Sequence, residues 1–436
     1  MLEAGEPLFV GAAEVDITPP VGTYLQGALV PRTSEGLDDP LYVKALVMKQ
    51  GKTTIAHLTF DIAVIDRELV LLCAESIRET TGIPADNVIC TATHTHSGPV
   101  TSDYIFPPSM GNALNEVWRE ALPGRAARAA SQAEQSLSPA RPSMLRTYCH
   151  GISHYRRLEF TDGRQLNTWL LNRDEDDVQC VGAAGPVDPE LIAMSFEDDA
   201  GRVIAVVVSY ALHANSRGKN RNYLSADYPG ELTRSLRERL GNQLICLVLP
   251  AAGGNLNPTC PRSEIAKALS NGILEKWQHR RVLDCTAGPL GFTRSSVHPV
   301  LRDFSIDQTD RIRDSQWPQE HHRYFTESRE HLLSRRVADV DAPLAAWCLG
   351  NTSFVTQPGE LFVEYGMDLK RRGPFDWTIP VAYTDDSLGY LVTEAAWEAG
   401  GYESLVARQA IIAPEGCRAM VTKSIEMLNK LHADAP

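Results

Sequence analysis

Apolar segments of strand length alternate with amphipathic helical segments along this chain of 436 residues. Residues 41–65 read as two strands around a turn at 50–52, and residues 66–82 read as a helix that begins at Asp66 and ends at Gly82. No internal repeat, low-complexity segment or flexible linker divides the sequence. Alternating elements of this kind pack as layers around a common core. The sequence therefore predicts one mixed α/β (α+β) domain over residues 1–436, with a layered sheet core flanked by helices.

Further predicted elements continue this pattern. We expect strands at 87–93, 242–254 and 376–384, hairpins at 190–212 and 342–359, and helices at 115–136 (broken at Pro123), 230–241 and 417–432. Residues 286–330 are rich in Arg, His and Pro. They show neither the apolar alternation of a strand nor the apolar spacing of an amphipathic helix. We expect this segment to form a surface excursion or a lid.

Charge and cysteine usage narrow the class of protein. The formal net charge of −13 argues against a nucleic-acid partner or an anionic membrane, because both bind basic surfaces. The longest apolar run, 203–212, is too short to cross a bilayer, and the first ten residues do not read as a secretory signal. The nine cysteines are scattered and include no C-x-x-C pair. These features predict a cytoplasmic protein that acts on a small molecule, with the oligomeric state left open.

Polar side chains follow several of the predicted apolar strands. His94 and His96 come after the strand at 87–93, and His213 follows the hairpin at 190–212. Glu360 and Tyr390 follow two later strands. Ligands of α/β sheets bind in crevices outside the carboxyl ends of strands. We therefore expect these side chains to converge on one cleft at the strand ends.

A metal site explains the residue types. A catalytic zinc takes about three protein ligands from His and carboxylate side chains, and it lowers the pKa of water to about 7. His94, His213 and Glu360 supply such a set. Each also has an ordinary structural interpretation, as a core histidine or as an acid in the first turn of a helix. Manganese and iron accept the same ligands. From the residues alone, a zinc hydrolase is a hypothesis.

Seven segments carry a more specific resemblance. The chain resembles the catalytic domain of the neutral (non-lysosomal) ceramidases, which are zinc-dependent amidases. The segments lie in order across residues 9–405: GAAEVDITPPVG (11–22), ATHTHSGP (92–99), SYALHANS with LSADYPGE (209–216 and 224–231), AAGGNLNPT (251–259), QPGELF (357–362) and YLVTEAAWEAGGYE (390–403).

The resemblance implies roles for individual residues. It makes His94, His213, Glu360 and Tyr390 the zinc ligands. It places His96 and Tyr402 beside the scissile carbonyl, where they would stabilise the oxyanion or move protons. A family stretch similar to residues 153–164 contains an arginine that contacts the substrate, which implies this role for Arg156 or Arg157. Asp61 and Asp227 are candidates for orienting the ligand histidines.

Two features depart from the family pattern. Asn257 stands where the family has a serine important for activity, and an amide can replace only the hydrogen-bond donation of a hydroxyl. Arg217, Lys219 and Arg221 follow His213 and suit a polar or anionic substrate, although a solvated loop explains them equally well.

Together these features predict a zinc-dependent hydrolase in which activated water attacks an amide, or else an ester or lactone, of a polar, non-lipid small molecule. The alternatives are a phosphoester hydrolase on the same metal site and a metal-dependent binding or sensory protein without catalysis.

Overall fold

Three sheets form the centre of the structure, a computed structural model that describes residues 6–29, 32–102, 112–170, 179–216, 220–306, 319–334, 339–405 and 407–434. The first sheet has the spatial order β7 (Val88–Ala92), β6 (Thr53–Phe60), β5 (Tyr42–Gln50), β1 (Phe9–Asp16), β8 (Ser138–Pro139). The second has the order β17 (Ile245–Pro250), β15 (Val203–Tyr210), β14 (Glu190–Glu197), β9 (Arg141–Tyr148), β19 (Arg281–Val282). The third has the order β20 (Gly291–Val297), β21 (Ala342–Leu349), β22 (Thr352–Thr356), β24 (Trp377–Val381).

Shorter strands pair around the ends of these sheets. The pairs and one triplet are β2 (Tyr24–Leu25) with β3 (Arg32–Thr33), β4 (Gly36–Leu37) with β16 (Tyr223–Leu224), β10 (Ser153–Tyr155) with β18 (Leu256–Pro258), β11 (Arg157–Phe160) with β12 (Gln165–Asn167) and β13 (Cys180–Ala183), and β23 (Glu360–Leu361) with β25 (Tyr390–Leu391).

The helices cover the outer faces of the sheets. They are α1 (Arg67–Thr81), α2 (Ala113–Glu120), α3 (Leu122–Gln135), α4 (Asp227–Leu240), α5 (Arg262–Lys276), α6 (Gln319–Ser334), α7 (Val363–Arg372), α8 (Glu394–Glu398) and α9 (Pro414–Asp434). Helices α1 and α3 pack on each other, and α3 packs on the first sheet. Helices α4 and α5 pack on the second sheet, and α9 packs on the third.

A buried apolar layer joins the three sheets. Leu46 from the first sheet, Met194 and Leu247 from the second, and Trp347 and Phe354 from the third belong to one cluster, and each is at most 1% exposed. Burial of this apolar surface is the main force that holds the sheets together. The predicted class, a mixed α/β fold with a layered sheet core flanked by helices, is confirmed.

Local sequence signals account for several element ends. The Asp66 side chain accepts a hydrogen bond from the Leu69 amide at 2.8 Å and begins α1, while Gly82 ends it with φ +76°. The predicted helix over 115–136 is divided into α2 and α3, and Pro123 lies in the first turn of α3, where its missing N–H costs nothing.

The structure differs from the expectation for residues 286–330. Residues 291–297 form β20, which pairs along its whole length with β21 and is part of the third sheet. Helix α6 packs Phe325 at 0% exposure in a cluster with Leu405. Residues 307–318 lie outside the described residues, so a lid in this region stays a prediction.

Candidate functional site

His94, His213 and Glu360 meet at the ends of three strands. His94 follows β7, His213 follows β15, and Glu360 begins β23. The Nε2 atoms of His94 and His213 lie 3.3 Å and 3.1 Å from Glu360 Oε2. Ligand atoms of the two histidines and of His96 lie within 4.8 Å of one another, in a cluster of the kind that holds a metal ion. The structure therefore brings together side chains that are 266 residues apart in sequence, between His94 and Glu360.

Backbone carbonyls orient both ligand histidines. His94 Nδ1 lies 2.7 Å from the Ala63 oxygen, and His213 Nδ1 lies 2.7 Å from the Gly253 oxygen. Because a carbonyl oxygen only accepts, each Nδ1 carries a hydrogen, so Nε2 is the atom of each ring that can bind a metal ion. This is the tautomer that a metal-binding histidine requires.

The expected role of Asp61 and Asp227 in orienting these histidines is therefore wrong. Asp61 Oδ2 accepts a hydrogen bond from the Tyr42 amide and lies 3.9 Å from Lys44 Nζ. The Asp227 carboxylate accepts hydrogen bonds from the Ser216 hydroxyl and from the backbone amide of Tyr228. The backbone carbonyls of Ala63 and Gly253 contact the histidine Nδ1 atoms, which is the role expected of these two carboxylates.

Electrostatics at the cluster favour a bound cation. Burial, followed by the charge of Arg156, lowers the pKa of His213 to about 4, so its ring is neutral at pH 7. Two lone pairs and a carboxylate oxygen within 3.3 Å repel one another unless a positive charge lies between them. The donor set thus fits a divalent metal ion.

Tyr390 and Tyr402 extend the cluster on one side. The parallel pairing of β23 with β25 places Tyr390 directly opposite Glu360. The Tyr390 and Tyr402 rings have centroids 5.6 Å apart. Burial raises the pKa of both phenols well above the usual range, and Arg156 opposes this rise. Both groups are therefore protonated at neutral pH and can act as hydrogen-bond donors.

Arg156 is the arginine that reaches the cluster. Its Nη1 lies 3.2 Å from His213 Nε2 and 3.5 Å from Asn257 Oδ1, and its guanidinium carbon lies 5.1 Å from the centre of the Tyr390 ring. The residue is 2% exposed. Arg157, the next residue, makes a different set of contacts.

Arg157 is not available to a substrate, and this half of the prediction is wrong. The residue is 0% exposed, and its nitrogens donate to the Gln165 side chain, to the Glu403 carboxylate and to the carbonyls of Ala396 and Gly400. Both arginines donate to Glu403, but of the two only Arg156 contacts His213.

Glu403 is a site residue that the sequence analysis missed. Its buried carboxylate accepts hydrogen bonds from Arg156 Nε and Arg157 Nη1, each at 2.8 Å, and from Asn167 Nδ2 at 2.9 Å. Burial raises the pKa of Glu403, but the two guanidinium groups lower it below its usual value overall. Glu403 directly follows Tyr402 in the last matching segment, and this adjacency was the available signal.

Tyr383 is a second residue that was missed. Its ring stacks on His94 with centroids 3.9 Å apart, and the residue is 2% exposed. Tyr383 follows β24, so the same reasoning that selected the other strand ends could have found it.

The remaining predicted residues lie around the cluster. His96 Nε2 is 3.1 Å from His94 Nε2, and the His96 carbonyl accepts a hydrogen bond from Arg32. Asn257 lies in β18 and accepts a hydrogen bond from Asn215 at 3.3 Å. Arg221 has an exposed side chain, and its carbonyl accepts a hydrogen bond from Arg32. Arg217 and Lys219 lie outside the described residues.

Within the described segments, every helix is too short or too polar to cross a lipid bilayer.

Comparison with known proteins identifies the family. The family model for the neutral/alkaline non-lysosomal ceramidase, N-terminal region, matches residues 8–243, more than half of the chain. A crystal structure of neutral ceramidase from Pseudomonas aeruginosa superposes with a TM-score of 0.77 at 17% identity, over 99% of this chain and 75% of that chain. A ceramidase complexed with C2 superposes with a TM-score of 0.75 at 16% identity, over 99% of this chain and 76% of that chain. At these identities the superpositions show a shared fold, and the sequence match shows the family: the chain belongs to the neutral/alkaline non-lysosomal ceramidases.

Proposed function

We propose that this protein is a zinc-dependent hydrolase that cleaves an amide bond, or alternatively an ester or lactone, in a polar, non-lipid small molecule. The observation that carries the proposal is the convergence of three electron-rich atoms, His94 Nε2, His213 Nε2 and Glu360 Oε2, with both histidines fixed in the metal-binding tautomer by carbonyls. Family membership supports amide hydrolysis as the reaction.

His94, His213 and Glu360 would hold the zinc ion, with Tyr390 as a weaker fourth ligand. A zinc ion in such a set is a Lewis acid and lowers the pKa of water to about 7. Tyr390 is suited to the weaker role because its phenol lies next to Glu360 in the β23–β25 pair and keeps its proton at neutral pH.

Two donors flank the cluster on the side where a carbonyl oxygen would develop charge. His96 Nε2 lies 3.1 Å from His94 Nε2, so the His96 ring adjoins the atoms that would hold the zinc ion. Tyr402 keeps its phenolic proton and lies next to Tyr390. A well-placed donor to an oxyanion contributes about 3 kcal/mol to transition-state stabilisation. We infer that His96 and Tyr402 bind the oxyanion and pass a proton to the leaving nitrogen.

The groups beside the cluster favour a polar substrate. Arg156, buried and held by Glu403, presents Nη1 towards the ligand histidines, and the Asn257 amide lies next to it. We propose that Arg156 orients a polar or anionic group of the substrate and that Asn257 donates a hydrogen bond in place of the family's serine. We further propose that the exposed Arg221, and also Arg217, which lies outside the described residues, attract an anionic substrate.

We also infer a cytoplasmic protein without a nucleic-acid or membrane partner. All nine cysteines, each in a described segment, are free thiols, which fits a reducing compartment. The net charge of −13 disfavours binding to nucleic acid or to anionic lipid.

Metal analysis tests the centre of the proposal. Purified protein should contain one zinc ion per chain by plasma mass spectrometry, and His94→Ala and Glu360→Gln should each lose it. His298→Ala is the matched control, because His298 is exposed and contacts Asp339 at the surface. Absence of stoichiometric zinc, or full activity in His94→Ala, would contradict the proposal.

A substrate panel tests the reaction. Chromogenic amides, esters, lactones and phosphate monoesters of small polar acids should be compared with the zinc-loaded protein. We expect hydrolysis of amides with the highest kcat/KM. Turnover of phosphate esters alone would identify a phosphoester hydrolase on the same ligands, and zinc binding without any turnover would identify a metal-dependent binding or sensory protein.

A further inference from the structure

Trp169 contacts two residues of the site, Arg156 and Tyr402, and its own side chain is exposed. It belongs to a short 3-10 turn, Thr168–Leu170, directly after β12, and its side chain is 45% exposed. The Arg156 guanidinium carbon lies 5.1 Å from the centre of its ring, and the Tyr402 ring meets it edge-on at 5.9 Å. Both neighbours belong to the proposed catalytic cluster. Trp169 therefore carries an apolar ring from the cluster out to solvent.

The exposure of this ring is not explained by packing. Trp169 and Tyr148 are the large aromatic side chains that the described segments expose, and only Trp169 adjoins the site. Tyr148 stacks on His150 near the end of β9. Exposing a tryptophan leaves apolar surface in water that a planar ligand would cover.

The contacts of Trp169 also limit what can bind to it. Arg156 occupies one face of the indole, and this guanidinium is itself fixed by Glu403 at 2.8 Å. The indole is thus held in place before any ligand arrives, which lowers the entropy cost of stacking. Because a cation already lies over the indole, the ring favours stacking with a neutral or electron-rich planar group over a second cation.

The surroundings do not suit a long alkyl chain. Polar groups adjoin the ring: the guanidinium of Arg156, the amide of Asn257 3.5 Å beyond it, and His154, whose Nε2 lies 3.4 Å from the Thr168 hydroxyl. An extended acyl chain requires a continuous apolar surface, whereas one indole matches one planar ring system.

We propose that Trp169 determines substrate specificity by stacking on a planar, unsaturated ring of the substrate next to the scissile bond. The proposal rests on the proposed function in that it places the substrate at this zinc site. It adds a class of substrate: small amides that carry an aromatic or heteroaromatic group on one side of the amide.

Binding of matched amides to the zinc-loaded protein tests this directly. One pair, phenylacetamide and cyclohexylacetamide, carries the ring on the acyl side. The other, N-benzylacetamide and N-(cyclohexylmethyl)acetamide, carries it on the amine side. In at least one pair the aromatic member should bind about 3- to 10-fold more tightly by calorimetry, the range expected for aromatic stacking. Trp169→Leu should abolish that preference, and Trp169→Phe should retain most of it.

Controls keep the two proposals separate. Tyr148→Ala, which changes the other exposed aromatic residue, should leave both ratios unchanged. Zinc content should be unchanged in every variant, because Trp169 is not a proposed ligand. Equal affinities within both pairs for the wild-type protein, or an undiminished preference in Trp169→Leu, would overturn the role of Trp169. Because binding is measured, this result is independent of whether the protein hydrolyses any amide.

Discussion

The imidazole of His94 stacks on the phenol of Tyr383, with centroids 3.9 Å apart and 14° between the ring planes, and both residues have left-handed backbone, at φ +63° and +56°. Such φ values are costly for residues with bulky side chains, at about 1–3 kcal/mol each. The His94 amide donates to the Ile62 carbonyl at 2.9 Å, and its Nδ1 bonds to Ala63. The stack and these two bonds hold His94 in a conformation that a free chain would rarely adopt.

Removing the Tyr383 ring should weaken metal binding. In Tyr383→Ala, His94 loses the surface that fixes its plane, so we expect the zinc dissociation constant to rise about 10- to 100-fold in competition with a chelator, as for other groups that orient metal ligands. The cavity should also lower the free energy of unfolding by about 3–5 kcal/mol. Tyr383→Phe is the control. The Tyr383 hydroxyl is buried without a hydrogen-bond partner, so this variant should be at least as stable as the wild type. A Phe variant as defective as the Ala variant would refute the role of the stack.

Glu403 should be essential to stability through its two arginines. Glu403→Gln leaves Arg156 and Arg157 buried without a counter-charge, and breaking a buried ion pair in this way costs about 3–5 kcal/mol. Denaturation in urea measures this loss. Glu394→Gln removes the carboxylate of the exposed pair with Arg418 and should leave stability nearly unchanged. Similar effects of the two substitutions would show that the buried network is not structurally important.

Acid should destabilise the protein partly through His57. Burial, followed by the charge of Arg294, lowers the pKa of His57 to about 3, against 6.5 for the free side chain. Between pH 6.5 and 3 the unfolded chain binds a proton at this residue that the folded chain does not. This contribution to stability is therefore present above pH 6.5 and is lost as the pH falls, by about 1.4 kcal/mol per pH unit.

His57→Gln should remove this dependence. The Gln amide can replace the bond of His57 Nε2 to the Thr91 hydroxyl, which is 2.9 Å long. Between pH 6.5 and 4, the slope of the free energy of unfolding against pH should be smaller than in the wild type by about 1.4 kcal/mol per unit. Parallel curves for the two proteins would contradict the low pKa of His57.

Zinc should stabilise the folded chain by mass action. At a free zinc concentration 100 times the dissociation constant, the expected gain is about 2.7 kcal/mol. A chelator should therefore lower the Tm of the wild-type protein and leave the Tm of His94→Ala unchanged. The same loss of Tm in both proteins would mean that the chelator acts elsewhere.

In the sequence, polar residues that directly follow apolar strands indicated the centre of the candidate site. Parallel pairing of the strands explains why this worked. β6 with β7 and β15 with β17 are parallel pairs, so the residues that follow them emerge at one edge of each sheet. That logic requires only apolar runs and the polar residues that end them, and both are visible in sequence. Which of Arg156 and Arg157 contacts His213 depends on long-range contacts of their side chains, which a single sequence does not show.

Other features had no signal in a single sequence. β20 is an edge strand of the third sheet with the sequence GFTRSSV, and most of its residues are only half-buried, so it lacks the apolar run that marks a core strand. The left-handed backbone of His94 and Tyr383 occurs at bulky residues, where composition predicts extended backbone.

The bonds from His94 and His213 to Ala63 and Gly253 end on peptide oxygens, which every amino acid possesses. Point mutation at those two positions leaves the acceptor itself in place. Under the proposed function, substitutions elsewhere around the site can therefore change the substrate while the orientation of the two histidines is retained.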